Sequence, residues 1–253
     1  MNVALFGGTF DPVHSGHLSA ARAAMQSFGL DEIHFVPASF PPHKRNRALT
    51  AFIHRYAMVV LACAGVSQFV PSLLESEEQS QGQPNYSILT VRRMEETLSS
   101  TDRLYFIIGA DAFLDIFQWH EPAALLDSCD FIIVSRPGFP IEEIEKVVPK
   151  ELRDSVFETR NRESELRNRG SRMRNWDRAS VDTRISNSGS LNSVGVQSSI
   201  ALRRTQLHLL TTVEADISSS TIRRLASEGE SLRGLVPDAV ADYIQKLHLF
   251  QNE

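Results

Sequence analysis

Short, uninterrupted apolar runs alternate with helix-like patterns along most of this 253-residue chain. The apolar runs have the length of strands and occupy residues 3–6, 33–37, 104–109, 131–135 and 207–213, with a shorter one around Phe69. Strands separated by helices predict βαβ units and a parallel sheet, and runs without polar alternation are typical of strands covered on both faces. We therefore expect an α/β fold, a Rossmann-like doubly wound parallel sheet flanked by helices, in a single domain over residues 1–253.

One segment, from about residue 158 to 204, does not follow this pattern. It is rich in Arg, Ser and Asn and nearly free of large apolar residues. Such a composition cannot bury enough surface to offset the entropy of the chain, so we expect a disordered, low-complexity insertion that interrupts the domain. A solvated loop is the simplest interpretation, and a polyanion-binding arm or an assembly contact is left open.

The composition of the chain excludes several classes of protein. The hydrophobic share of 42% and the charged share of 23% are ordinary for a globular protein, and the net charge of −5 gives no reason to expect a nucleic-acid partner. The two cysteines, Cys63 and Cys129, lie far apart and predict neither a disulfide framework nor a zinc site. Without a basic leader or a long apolar span, we expect a cytoplasmic protein with no membrane partner.

The candidate binding and catalytic residues are those that follow the apolar runs, because ligands of parallel sheets bind beyond the carboxyl ends of the strands. These residues are Gly7, Gly8, Thr9, Phe10, His14 and His17, then His43 and Lys44, then Gly109 and Asp111, then Arg136, and finally Ser218, Ser219 and Arg223. Cations, hydroxyls and helix N-termini at one edge of a sheet are typical of a site for a phosphate-rich ligand. A Walker A loop, G-x-G-x-x-G and G-x-S-x-G are all absent from the sequence, which disfavours the corresponding NTPases, dehydrogenases and hydrolases.

The opening GGTFDPVHSGH and the late ISSSTIR resemble the nucleotidyltransferases that carry H-x-G-H and I-S-S-T-x-I-R motifs. Within them the chain is similar to bacterial nicotinate-nucleotide adenylyltransferases, whose ordered motifs it repeats as PPHK at 41–44, Tyr86-Ser87, Gly109-Ala110-Asp111, Trp119 and RPG at 136–138. The order and spacing hold from residue 1 to about 140 and again from about 207. The insertion and the triple serine at 218–220 depart from the family pattern.

The resemblance implies a reaction in which AMP passes from ATP to nicotinate mononucleotide, giving deamido-NAD and pyrophosphate, with Mg²⁺ travelling with ATP and no metal held by the protein alone. It implies that the catalytic residues are His14, His17, Lys44 and Arg223. It implies that ATP is bound by Gly7, Gly8, Thr9, Phe10, His14, His17, Gly109, Asp111, Ser218, Ser219 and Arg223. It implies that the mononucleotide is bound by His43, Lys44, Tyr86, Ser87, Trp119 and Arg136.

Structural interpretations and other functions stay open beside this one. The two histidines and the serines could form capping clusters, Asp111 could be an N-cap, and Trp119 could serve packing. Within the superfamily, a preference for nicotinamide mononucleotide is an alternative; phosphopantetheine adenylyltransferases are shorter and carry T-x-G-H. A non-catalytic nucleotide- or RNA-binding protein is the alternative from another class, and a homo-oligomer is left open.

Overall fold

The fold is a single seven-stranded sheet within the residues that the computed structural model describes, which are 1–41, 49–135, 139–153, 195–211 and 217–251. The strands are β1 Asn2–Gly8, β2 Glu32–Pro37, β3 Phe69–Pro71, β4 Arg103–Gly109, β5 Asp130–Ser135, β6 Gly195–Ala201 and β7 Gln206–Thr211. Their spatial order is β3-β2-β1-β4-β5-β7-β6, and all neighbours are parallel except β6, which is antiparallel to β7. The strand order reverses between β1 and β4, as expected for a doubly wound sheet, so this expectation is confirmed.

Helices cover both faces of the sheet. They are α1 Ser15–Phe28, α2 Phe52–Cys63, α3 Glu77–Ser80, α4 Ser87–Glu95, α5 Ala110–Leu114, α6 Pro122–Ser128, α7 Ile141–Val147, α8 Ser219–Ser227 and α9 Asp238–Lys246. Alternate residues of β1 point to opposite faces, so Ala4 and Phe6 join one apolar core with α1, α2, α8 and α9. Val3 and Leu5 join a second core with α4 to α7. Among the described residues, no helix has the length and apolar character needed to cross a membrane.

Sequence periodicity accounts for the longer elements. Of the apolar residues on one face of α1, Leu18 and Ala21 are buried in the first core, and Met25 and Phe28 are partly buried against it. Gly29 ends this helix in the left-handed conformation, with φ of 57°. Glycine adopts this conformation without a steric penalty, as the prediction of a C-terminal glycine requires.

Strand β6 corrects the expected boundary of the insertion. Residues 195–201 pair with β7 instead of forming a disordered segment that reaches residue 204, so the expectation is wrong for these residues. The physical reason is an alternation of apolar residues, Val196, Ile200 and Leu202, which the average composition of the segment conceals. Leu202 is 4% exposed and packs in the second core. Residues 158–194 of the expected insertion lie outside the described residues.

Leu202→Ala tests whether this end of the segment is part of the core. Deleting a buried leucine side chain is expected to lower the free energy of unfolding by about 2–5 kcal/mol. Leu73→Ala is the matched control, because Leu73 is 48% exposed, and it is expected to change stability by less than about 0.5 kcal/mol. Chemical denaturation measures both. An equally small effect of the two substitutions would contradict the placement of Leu202 in the core.

Candidate active site

Two adjoining cavities open at the carboxyl ends of β1 and β4, where the strand order reverses. The first cavity has a volume of about 480 Å³ and is lined by residues that include His14, His17 and Asp111. The second cavity has a volume of about 340 Å³ and is lined by residues that include Thr9, Glu75, Asn85, Tyr86, Ser87, Trp119 and His120. Gly7 and Gly109 border both cavities, so ligands bound in the two can meet across these glycines.

The two histidines lie where α1 begins and are held against each other. His14 is the N-cap residue of α1, and its backbone N–H donates a hydrogen bond to Nδ1 of His17 over 3.2 Å. The two imidazole rings lie 3.7 Å apart, and Phe10 contacts the His17 ring edge-on at 5.0 Å. Because Nδ1 of His17 accepts a hydrogen bond, the neutral ring carries its proton on Nε2 and can donate from there.

Burial keeps His14 uncharged at neutral pH. The residue is 8% exposed, and desolvation lowers the pKa of its imidazole to about 4. An anion that enters the first cavity would favour the protonated form and raise this pKa again. Gly16, in the first turn of α1, also lines this cavity, where backbone N–H groups and the helix dipole favour negative charge.

A buried arginine holds the chain where β1 and β2 end. Arg55 of α2 is 1% exposed, and its guanidinium donates hydrogen bonds to the carbonyl oxygens of Thr9, Ala38 and Thr50 over 2.7–2.8 Å. Burial lowers the pKa of Arg55 and the charge of Asp11 opposes that shift, but a guanidinium stays protonated at neutral pH in either case. Arg55 therefore connects three segments, two of which line the second cavity through Thr9 and Ala38.

Helix α8 also binds the loop between β1 and α1. The guanidinium of Arg223 is buried and donates to the carbonyl oxygen of Asp11 over 2.6 Å and to the hydroxyl of Ser220 over 3.2 Å. The Ser219 hydroxyl donates to the carbonyl oxygen of Pro12 over 3.0 Å. The loop between β1 and α1 is thus fixed through its carbonyl groups.

The second cavity combines aromatic rings with one buried carboxyl group. Tyr86 and His120 stack with their rings 4.2 Å apart and 24° from parallel, and Trp119 lies next to them on the wall. The hydroxyl of Thr90 donates to Oε1 of Glu75 over 2.5 Å. Desolvation raises the pKa of Glu75 to about 7, while Thr90 and Arg93 act in the opposite direction.

Comparison with known proteins identifies the fold and the family. The cytidylyltransferase-like family model matches residues 5–225. The chain belongs to this family. Two "Probable nicotinate-nucleotide adenylyltransferase" sequences are similar over nearly the whole length. The Pelobacter propionicus sequence is 36% identical over 99% of this chain and 98% of the relative, and the Geobacter metallireducens sequence is 32% identical over 100% of both.

A solved structure shares the fold of this nucleotidyltransferase. It is "Plasmodium falciparum nicotinic acid mononucleotide adenylyltransferase complexed with NaAD", and it superposes with a TM-score of 0.63 at 20% identity over 100% of this chain and 98% of that chain. The structure shows the fold, and the two curated relatives place the chain among the nicotinate-nucleotide adenylyltransferases, which are transferase enzymes.

Most of the site residues expected from the sequence of this nucleotidyltransferase lie on the two cavity walls. Gly7, His14, His17, Gly109 and Asp111 line the first, and Tyr86, Ser87 and Trp119 line the second. Asp111 is in the first turn of α5, whose N-cap is Gly109, so the interpretation of Asp111 as an N-cap is wrong. Trp119 also packs against the second core, so its packing role and its place on the wall coexist.

Other expected residues occupy different positions. Gly8 and Thr9, expected to bind ATP, line the second cavity, and Phe10 is buried in the first core. A side chain at Gly8 would crowd the buried Phe10 ring, because a Cβ atom there would come within 3.2 Å of it and the ring would have to shift by a few tenths of an ångström. The remaining expected residues divide into two groups. The first group, Ser218, Ser219 and Arg223, is absent from the walls of both cavities, and Ser218 is the N-cap of α8. The second group, His43, Lys44 and Arg136, lies outside the described residues.

Sequence reasoning missed three residues of the site. Arg55 had a detectable signal, because it lies among apolar residues on the buried face of α2, where a charged side chain is unusual. Glu75 and His120 have no comparable signal, since their position on the cavity wall depends on contacts between distant segments.

Arg55→Met tests the hydrogen bonds that hold the loop. Methionine keeps much of the buried apolar stem but leaves three carbonyl groups without their donor, so the free energy of unfolding is expected to fall by about 3 kcal/mol or more. Arg92→Met is the matched control, since Arg92 is exposed and its surface ion pair with Glu121 is screened by solvent, so little change in stability is expected. Denaturation curves that shift equally for both variants would refute the role of Arg55.

Proposed function

We propose that this chain transfers the adenylyl group of ATP to nicotinate mononucleotide, which gives deamido-NAD and pyrophosphate. The observation that carries the proposal is the pair of cavities joined at Gly7 and Gly109, one suited to phosphates and the other to an aromatic ring. The names of the curated relatives and the product-like ligand named for the Plasmodium falciparum structure support this reaction.

In this reaction the phosphate of the mononucleotide attacks the α-phosphorus of ATP, a new P–O–P bond forms, and the bond to the β-phosphate breaks. The enzyme needs no nucleophile of its own, so positioning and charge stabilisation provide the catalysis. We place the triphosphate in the first cavity, where His17 donates from Nε2 to the α-phosphate region. His14 accepts a proton as the anion raises its pKa, and so adds positive charge near the β- and γ-phosphates.

The adenosine half of ATP would bind against the apolar residues of the first cavity. Val134, Phe139 and Ile217 line it there, and they suit a purine ring. Asp111 lies on the wall next to Gly109, where its carboxylate can accept hydrogen bonds from ribose hydroxyls.

The second cavity would take the mononucleotide. Trp119 and Tyr86 present aromatic surfaces to the pyridine ring, and the Ser87 hydroxyl at the start of α4 supplies a polar contact. His43, Lys44 and Arg136, outside the described residues, keep their proposed role as ligands of the mononucleotide.

Arg223 is better explained as a positioning residue than as a phosphate ligand, because its guanidinium binds the carbonyl of Asp11. Ser218 and Ser219 have a similar positioning role. Ser218 is the N-cap of α8, and the Ser219 hydroxyl donates to the carbonyl oxygen of Pro12. Together they orient the loop that carries His14.

Mg²⁺ is the ion we expect to accompany ATP. Mg²⁺ prefers oxygen ligands and is often held largely by substrate phosphates and water, so it can travel with ATP while Asp111 contacts the ribose. When bound, the ion would neutralise charge on the triphosphate.

We also propose a cytoplasmic location, because the buried thiols of Cys63 and Cys129 are both free, as in a reducing compartment.

Pyrophosphate release from ATP and Mg²⁺ tests the proposed function. We expect release only when a pyridine mononucleotide is added, and mass spectrometry should identify the dinucleotide product. Equal or faster release with phosphopantetheine would contradict the proposal, and so would the absence of release with either pyridine mononucleotide.

His17→Ala, measured in the same assay, should lower kcat by about 10²–10³-fold, the usual loss for one preorganised group that stabilises charge in the transition state. His34→Gln is the control, since His34 lies in β2, outside both sets of lining residues, and its contact with Glu32 can be kept by glutamine. A near-normal kcat for His17→Ala would show that His17 is structural.

A further inference from the structure

One buried carboxyl group on the wall of the second cavity has no part in the mechanism above. Glu75 lies between β3 and α3 and is 7% exposed. Its Oε1 accepts the hydrogen bond from Thr90, and its backbone carbonyl accepts one from the N–H of Ser39 over 3.2 Å. Among the described residues, Oε2 has no hydrogen-bond partner. The side chain is therefore fixed in place with one oxygen atom available to a ligand.

The surroundings of Glu75 disfavour its ionised form. Arg93 of α4 is the nearby cation, but its guanidinium donates to the carbonyl oxygens of Leu74 and Gln79 rather than to the carboxyl group. Among the described residues, the other titratable groups on the cavity wall are Tyr86 and His120, and Asn85 adds an uncharged amide. A buried carboxyl group without an ion pair favours its neutral form, and burial raises the pKa of Glu75 to about 7.

We propose that Glu75 is a specificity residue of the second cavity, where its carboxyl group contacts the ring substituent of the pyridine mononucleotide and distinguishes a carboxylate from a carboxamide. The proposal rests on the proposed function, because it assumes that the mononucleotide binds in this cavity. A neutral Glu75 donates its O–H to an oxygen of the nicotinate carboxylate. An ionised Glu75 repels that carboxylate but accepts a hydrogen bond from the N–H₂ group of a carboxamide.

The consequence is a substrate preference that depends on pH. Deprotonation of Glu75 adds a negative charge as pH rises through the pKa of about 7, so the acid is disfavoured at high pH. The amide keeps a hydrogen-bond partner in both states. The phosphate of the mononucleotide also titrates in this range, but it is common to both substrates and cancels in a ratio.

The experiment measures kcat/KM for nicotinate mononucleotide and for nicotinamide mononucleotide from about pH 6 to about pH 8.5, with pyrophosphate release as the readout. The ratio of acid to amide is expected to fall about tenfold or more over this range, because an ionised Glu75 excludes only the acid. A ratio that does not change with pH in the unmodified enzyme overturns the proposal while leaving the proposed function in place.

Glu75→Gln assigns the effect to this residue. Glutamine retains the shape of the side chain and can donate to the acid or accept from the amide at every pH, so the ratio should become independent of pH. Glu78→Gln is the matched control, since Glu78 is exposed on α3, and its ratio should follow that of the unmodified enzyme. A slope that persists in Glu75→Gln would show that another group causes the pH dependence and would overturn the proposal. Absence of turnover with both mononucleotides would overturn the proposed function and this proposal with it.

Discussion

The hydrogen bonding of two buried guanidinium groups to the loop between β1 and α1 is the constraint on which both cavities depend. Arg55 of α2 donates to the carbonyl of Thr9 and Arg223 of α8 donates to the carbonyl of Asp11, so two helices fix the loop. The first turn of α1 follows this loop directly and lines the first cavity through Gly16 and His17. The position of His14 at that N-terminus therefore follows from contacts more than 40 residues away in sequence.

The electrostatic design of the site relies on groups whose charge can change. In the described part of the chain, imidazoles and the N-terminus of α1 face the first cavity, while the guanidiniums of Arg55 and Arg223 are engaged with carbonyl groups. Burial lowers the pKa of His14 to about 4, so at neutral pH its imidazole is uncharged until a bound anion raises that pKa. Binding of the triphosphate would thus create the positive charge that the reaction needs, without a permanently buried charge in the empty cavity.

The sequence predicts the local features of this structure better than the distant ones. Parallel strands and the long helices follow from apolar periodicity, and the pairing of His14 with His17 follows from a spacing of three residues at a helix start. Strand β6 was missed because a segment with polar average composition still alternates apolar side chains. Arg55 is detectable as a charged residue among the apolar residues of α2, but its bond to Thr9 joins two different segments and is not visible in the sequence. Glu75 has no such signal, because its partner Thr90 also lies in a different segment.

The central claim is that the two cavities hold the two substrates, ATP and the mononucleotide, side by side. A crystal structure of the enzyme with deamido-NAD bound tests it most directly. The account predicts the adenosine half in the first cavity beside Asp111 and the pyridine ring in the second beside Trp119. It also predicts that the two phosphates pass between Gly7 and Gly109, within hydrogen-bond distance of His17. A pyridine ring in the first cavity, or a dinucleotide bound away from these glycines, would contradict it.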